Sequence, residues 1–209
     1  MVDREIVQCP FIESLRSLFL DIRLDQIRET EKTIHYLYTK FHPIYSVLEQ
    51  KFGVSEEDFL SALTKRLVAR IQESNANPTR KFFNKDVTSL KQIATQENGS
   101  IHMELENIPY WAFACTGVSL DEIQIQTRHG NKTLRGIVDA ISEDGKNSAG
   151  EYILPNSLGV SVMIQLHDGT IIGQVCNNNA VTTKYHGLKA SASGAVDSRP
   201  VGRYGIATL

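Results

Sequence analysis

Residues 156–174 read "NSLGVSVMIQLHDGTIIGQ", two apolar runs on either side of the tight turn His167-Asp168-Gly169. An Asp-Gly pair between apolar runs is a strong hairpin signal, because glycine supplies the backbone conformation such a turn needs. A second glycine-containing stretch, "SASGAVD" (191–197), follows closely. Back from this hairpin to Asn98 the chain keeps the same rhythm, with short β-type runs "IHMEL", "YWAFAC", "EIQIQT", "TLRGIVDAI", "EYIL", "VSVMIQL" and "TIIGQVC". The turns "RHGN", "EDGKNSAG" and "HDG" separate some of them, so this half predicts a mainly antiparallel sheet.

Ahead of Asn98 the period changes. "FIESLRSLFLDI" sets Phe11, Leu15, Leu18 and Ile22 on one stripe, and "TEKTIHYLYTKF" continues with Ile34, Leu37, Tyr38 and Phe41, the spacing of amphipathic helices. Pro43 must interrupt the second pattern or start another, since it lacks an N–H and restricts the residue before it. The clearest helix is "VSEEDFLSALTKRLVARIQES": Ser55 caps it, Glu56, Glu57 and Asp58 suit its first turn, and Leu60, Leu63, Leu67 and Ile71 form its apolar face. It ends near "SNANP". A last helix is expected from Asp86 through Leu90, Ile93 and Ala94 to the turn "ENGS". The fold class expected is α+β, with a helical segment over 1–98 and a β-rich region over 99–209; the boundary is soft, between Asn75 and Gly99.

The 209 residues carry a formal net charge of -2, with 41% apolar and 22% charged side chains. That balance gives no field to gather nucleic acid or an anionic membrane, so neither DNA nor RNA is expected as a partner. The start "MVDREIVQCPF" has no apolar leader, and no run of about 18 apolar residues occurs, so no membrane association is expected. Cys9, Cys115 and Cys176 are far apart and odd in number, which suggests a reducing cytoplasm rather than a disulfide framework.

Few residues gather into chemistry. His35 and His42 sit two helical turns apart without a carboxylate or cysteine to complete a ligand set. His102, Glu104 and Glu106 alternate along "HMELE", a pattern that can converge on a cation but more commonly forms a solvated strand face. The serines include no G-x-S-x-G elbow, Cys115 reads as core, and "TGVSLDE" lacks the lysine and glycine spacing of a phosphate loop. Tyr110, Trp111 and Phe113 offer stacking surfaces without a lysine or arginine beside them, so core packing is the favoured reading.

The stretch from Leu154 to Asp197 resembles the front of a Nudix domain, in particular members introduced by an N-x-L-G element. The matching positions are Asn156, Leu158 and Gly159, then Asp168 and Gly169, the returning run Ile171 to Gln174, and finally Ser193, Gly194, Val196 and Asp197. The resemblance covers about the last quarter of the chain and implies a Nudix-like mixed sheet. It also implies relation to metal-dependent hydrolases of nucleoside diphosphates linked to another group. In that family a helix of glutamates holds Mg²⁺ or Mn²⁺, which neutralises diphosphate charge and activates water. The box reads G-x5-E-x7-R-E-U-x-E-E-x-G-U; laid on Gly194, its first glutamate falls at Pro200 and its arginine at Thr208. The arginines usual on the returning strand are also missing, with Gln174 and Val175 near their place.

This chain is therefore expected to bind rather than hydrolyse, as the N-terminal portion of a Nudix-type protein or a degenerate member. No cofactor is expected on it, with Mg²⁺ or Mn²⁺ entering only where a complete box is supplied. Nucleotide binding is expected along Asn156, Gln174, Asn177, Asn178, Asn179, Lys184, Ser193, Gly194 and Asp197. The alternative is a non-enzymatic module that senses a nucleotide or docks a protein. An incomplete sheet leaves an edge open, so self-association or a complementing chain is expected.

Overall fold

The computed structural model describes residues 7–76, 84–142, 144–175, 188–189 and 192–195. Its helices are α1 (Ile12–Leu15), α2 (Leu24–Phe41), α3 (Tyr45–Phe52), α4 (Glu56–Ala76), α5 (Tyr110–Cys115) and α6 (Leu134–Ile141). The strands are β1 (Asp86–Thr95), β2 (Ile101–Pro109), β3 (Gln124–Thr127), β4 (Gly130–Thr133), β5 (Gly159–Val162), β6 (Ile164–Gln165), β7 (Ile171–Ile172), β8 (Gln174–Val175), β9 (Leu188–Lys189) and β10 (Ala192–Ala195). The class is α+β.

The helical half follows its periodicity. Helix α4 starts where Ser55 Oγ accepts the Asp58 N–H at 3.1 Å, and buries Phe59, Leu60, Leu63, Leu67 and Ile71 along one face. Helix α2 buries Ile34, Tyr36, Leu37 and Phe41, and Pro43 lies in the 3₁₀ turn His42–Ile44 that joins it to α3. The stripe over 11–22 folds as α1 followed by a 3₁₀ turn, Arg16–Phe19, with Leu15, Phe19 and Ile22 buried. Helix α3 ends on Gly53 at φ +65°, a left-handed cap in which Gly53 N–H bonds Glu49 O and Val54 N–H bonds Leu48 O.

Four expected elements differ. The stretch after Asp86 is the strand β1, not a helix, paired antiparallel with β2 from Asp86↔Pro109 to Thr95↔Ile101 with an irregularity between Leu90 and Gln92. "YWAFAC" is helix α5, and most of "TLRGIVDAI" is helix α6, capped by Thr133 Oγ1 accepting the Gly136 N–H at 3.1 Å. "EYIL" forms only an isolated bridge, Lys146↔Tyr152.

The division at 98/99 falls in the turn of the β1–β2 hairpin, closed by Gln96 N–H to Ser100 O at 2.8 Å, while the change from α4 to β1, between Ala76 and Asp86, lies within the range 75–99. That hairpin spans both intended segments, and one hydrophobic cluster runs from Leu15 through Leu37, Phe59 and Leu67 to Trp111, Ile125, Ile137 and Ile153. Helices α2 and α4 pack together, α5 packs on both, and β2 lies against α2. The free side of β1 receives the chain that leads into the Nudix-like stretch: Tyr152 N–H bonds Lys91 O, Leu90 N–H bonds Asn156 O and Leu158 N–H bonds Thr88 O.

The strands form two-stranded antiparallel sheets, β1–β2, β3–β4, β5–β10, β6–β7 and β8–β9. Antiparallel pairing was expected; a continuous mixed sheet does not occur among the described residues.

Candidate functional site

Helix α4 and strand β3 flank a cleft of about 700 Å³, within the size range of ligand pockets. One wall is the face of α4 that carries Asp58, Ser61, Ala62, Lys65, Arg66 and Ala69, residues three and four apart and so on one side of the helix. The other is the unbroken run 122–128. A surface lying over a sheet face would touch alternate residues; contact with every residue means that the cleft follows the edge of β3.

Hydrogen bonds to main chain and side chain fix this geometry. Arg66 Nε and Arg70 Nε donate to the buried Ser119 Oγ at 3.0 and 3.2 Å, while Ser119 Oγ donates to Ala114 O at 3.1 Å. The loop "TGVSLDE" is thereby anchored between α5 and α4 and serves as a helix-to-strand connection. Arg66 also pairs with Glu122, which lies immediately before β3, and with Glu73 at 3.1 Å. At the other end Arg128 N–H bonds Phe52 O at 2.8 Å, and its guanidinium donates to Glu49 O and Gln50 O at 2.7 and 2.8 Å. These last bonds satisfy carbonyls at the C-terminus of α3.

A second polar group lies in the core. Lys40 Nζ, on α2, meets Glu106 Oε1, on β2, at 2.6 Å with both side chains 1% exposed. Tyr36 OH donates to the same oxygen at 3.4 Å. The strand face expected to be solvated is therefore partly internal: Glu106 is buried, and Glu104 bonds Lys91 Nζ at 2.6 Å. That bond to the Glu104 carboxylate, helped by Glu151, holds the Lys91 ammonium above its ordinary range. Cys115 is buried in α5, and desolvation pushes its thiol up to about 12, so it is a core residue without nucleophilic character at neutral pH. Trp111 is buried too.

His35 is held as a neutral acceptor: the Cys9 N–H donates to its Nδ1 at 2.8 Å. Burial lowers its pKa below the ordinary 6.5, partly offset by the Glu31 carboxylate. The unfolded chain then takes up a proton near pH 6.5 that the folded chain refuses, so stability falls as pH drops through and below that value. Denaturant unfolding between pH 7.5 and 5 is expected to show this loss, and His35→Gln, which keeps an acceptor but cannot titrate, to flatten it. An unchanged slope in the variant counts against His35.

The residues expected to bind nucleotide fall into separate pairings. Asn156 is tied to β1 through its backbone, its N–H to Ser89 Oγ at 3.0 Å and its carbonyl to Leu90 N–H at 3.0 Å. Ser193 and Gly194 lie in β10 opposite Ser161 and Val160. Gln174 lies in β8 opposite Lys189. Asn177, Asn178, Asn179, Lys184 and Asp197 lie outside the described residues. The cleft and the buried ion pair were not anticipated. The signals present were Arg66 and Arg70 four apart on α4, and Lys40 one turn after Tyr36 on the buried face of α2.

Among the described residues no three His, Cys, Asp or Glu side chains gather as a metal site. From Gly194 to Leu209 the only carboxylate side chain is Asp197. This donor set does not fit the Mg²⁺ or Mn²⁺ of a Nudix box.

Fold and site together define an α+β protein with a cleft between α4 and β3 beside a helical core. No protein-family model, curated protein or solved structure matches the chain. Among the described residues no helix is long and apolar enough to cross a membrane.

Proposed function

We propose that this chain is a nucleotide-binding front portion, or a degenerate member, of the Nudix type, acting by recognition rather than hydrolysis. The observation that carries the reading is the ordered series Asn156-Ser157-Leu158-Gly159, Asp168-Gly169 and Ser193-Gly194. In support, Asp168 accepts the Thr170 N–H at 2.9 Å across a turn with Gly169 at φ +86°, and the strand holding Ser193-Gly194 pairs back on the strand that begins at Gly159. The ligand class is a nucleoside diphosphate linked to a second group. Among the described residues no cluster of His, Cys, Asp or Glu could hold a metal, so the proposed role is recognition, with the bound ligand left intact. A cytoplasmic setting suits such a ligand.

Calorimetric titration of the full chain with ADP-ribose, with and without Mg²⁺, tests the reading. Saturable heat is expected in both conditions, with little dependence on Mg²⁺. Absence of heat at millimolar ADP-ribose and UDP-glucose would overturn it.

Self-association belongs to the same proposal. Among the described residues the β6–β7 hairpin exposes Met163, Ile164, Leu166, Ile171 and Ile172, and clustered exposed apolar side chains mark an interaction surface. A second copy covering this hairpin would bury that surface. Sedimentation velocity over a hundredfold concentration range is expected to show a rising weight-average mass, abolished by Ile171→Asp. A strictly monomeric chain would count against the open-sheet reading.

A further inference from the structure

The cleft between α4 and β3 has the form of a strand-addition groove. Among the described residues strand β3 pairs with β4 alone, in the register Gln124↔Thr133, Ile125↔Lys132, Gln126↔Asn131 and Thr127↔Gly130. The Leu134 N–H to Ile123 O bond at 3.0 Å fixes the phase of this ladder. Since hydrogen-bonded and non-hydrogen-bonded pairs alternate, Ile123, Ile125 and Thr127 turn their backbone groups toward β4. Gln124 and Gln126 turn theirs outward, toward the cleft.

Their side chains do not block that edge. Ile123, Ile125 and Thr127 are buried, while Gln124 and Gln126 are exposed on the other face. The run is also fixed at both ends, by the Arg128 N–H on Phe52 O and by Glu122 on Arg66. A row of outward N–H and C=O groups beside a helix wall is a template for an extended segment, which would lie about 4.8 Å from β3.

Charge states what kind of segment. Lys65, Arg66 and Arg128 face two carboxylates, Asp58 and Glu122, in the cleft. Arg66 is committed to Glu122 and Glu73, Arg128 to two carbonyls, and Asp58 accepts from the Ser55 hydroxyl at 2.7 Å. Lys65 is exposed, with no ion pair or hydrogen bond among the described residues. We propose that this cleft takes an extended peptide segment of a partner protein carrying an acidic side chain. The segment adds as a third strand to the free edge of β3, with its acid opposite Lys65. This interaction is independent of the nucleotide reading.

The test is an NMR titration of the ¹⁵N-labelled full chain with capped heptapeptides of alternating threonine and valine. One peptide carries a central glutamate, one a central lysine, and one the glutamate with alternate amides N-methylated. The glutamate peptide is expected to shift the Gln124 and Gln126 amides and slow their exchange, while the N-methylated peptide does neither. Lys65→Glu, a change on the exposed face of α4, should weaken the glutamate peptide at least tenfold and favour the lysine peptide. Four results each overturn the proposal: no response of these amides at millimolar glutamate peptide, equal binding of the N-methylated peptide, the same shifts produced by dilution, or the same shifts produced by ADP-ribose instead of peptide. The last makes the cleft a nucleotide site. The titration with ADP-ribose alone judges the nucleotide reading separately.

Discussion

Lys40→Met is expected to lower the unfolding free energy by about 3–5 kcal/mol, because it removes the charge paired with the Glu106 carboxylate at a position with 1% side-chain exposure. The two charges meet at 2.6 Å and tie the last turn of α2 to β2, the strand that leads directly into α5. Each charge lost water on folding, and the other's proximity, with the Tyr36 hydroxyl on the same carboxylate oxygen, offsets that cost. The double variant Lys40→Met/Glu106→Leu removes both charges and is expected to recover most of the loss. Urea unfolding followed by circular dichroism measures all three proteins. A single variant within about 1 kcal/mol of the parent would show that the pair is solvated in solution.

Phe59→Ala carries a comparable cost by another route, about 3–5 kcal/mol from lost burial and the cavity left behind. Phe59 is 0% exposed and stands edge-on to Phe41 at 5.1 Å and to Tyr45 at 6.2 Å, so its ring joins α4 to α2 and α3 at once. Val47→Ala, at a position 39% exposed on α3, is the control and should stay within about 0.5 kcal/mol. If the two substitutions cost the same, α4 does not dock as described.

The readable parts of the sequence were those in which one force dominated. In α4 the cap at Ser55, the acidic first turn and the apolar face coincide, so period and end signals agree. Strand β1 was misread because Leu90, Ile93 and Ala94 happen to fall at helical spacing. What decides its state is non-local, the ladder with β2 and the bonds from residues 152–158 on its other side. Helix α6 held the opposite signal: Leu134, Ile137, Val138 and Ile141 recur at i, i+3, i+4 and i+7, and Thr133 caps. It was counted instead among the short apolar runs between turn residues. Helix α5 is too short for periodicity to speak; Pro109 at its N-cap was the available signal.

The cleft was less legible than the fold, since its two walls lie far apart in sequence. Nothing local in "EIQIQT" says that its free edge faces α4. Likewise, Glu106 was expected on a solvated strand face, and only the packing of β2 on α2 pairs it with Lys40. The Asp168-Gly169 hairpin turn could be read because its chemistry is local, with Asp168 Oδ1 accepting the Thr170 N–H and Gly169 at φ +86°.

The most direct test of the proposed role is to follow ADP-ribose by ³¹P NMR in the presence of stoichiometric protein and excess Mg²⁺. The account predicts broadened or shifted diphosphate resonances that persist unchanged in integral, a bound ligand left whole. Release of nucleoside monophosphate by the purified chain, or diphosphate resonances indistinguishable from those of the free ligand, would contradict it.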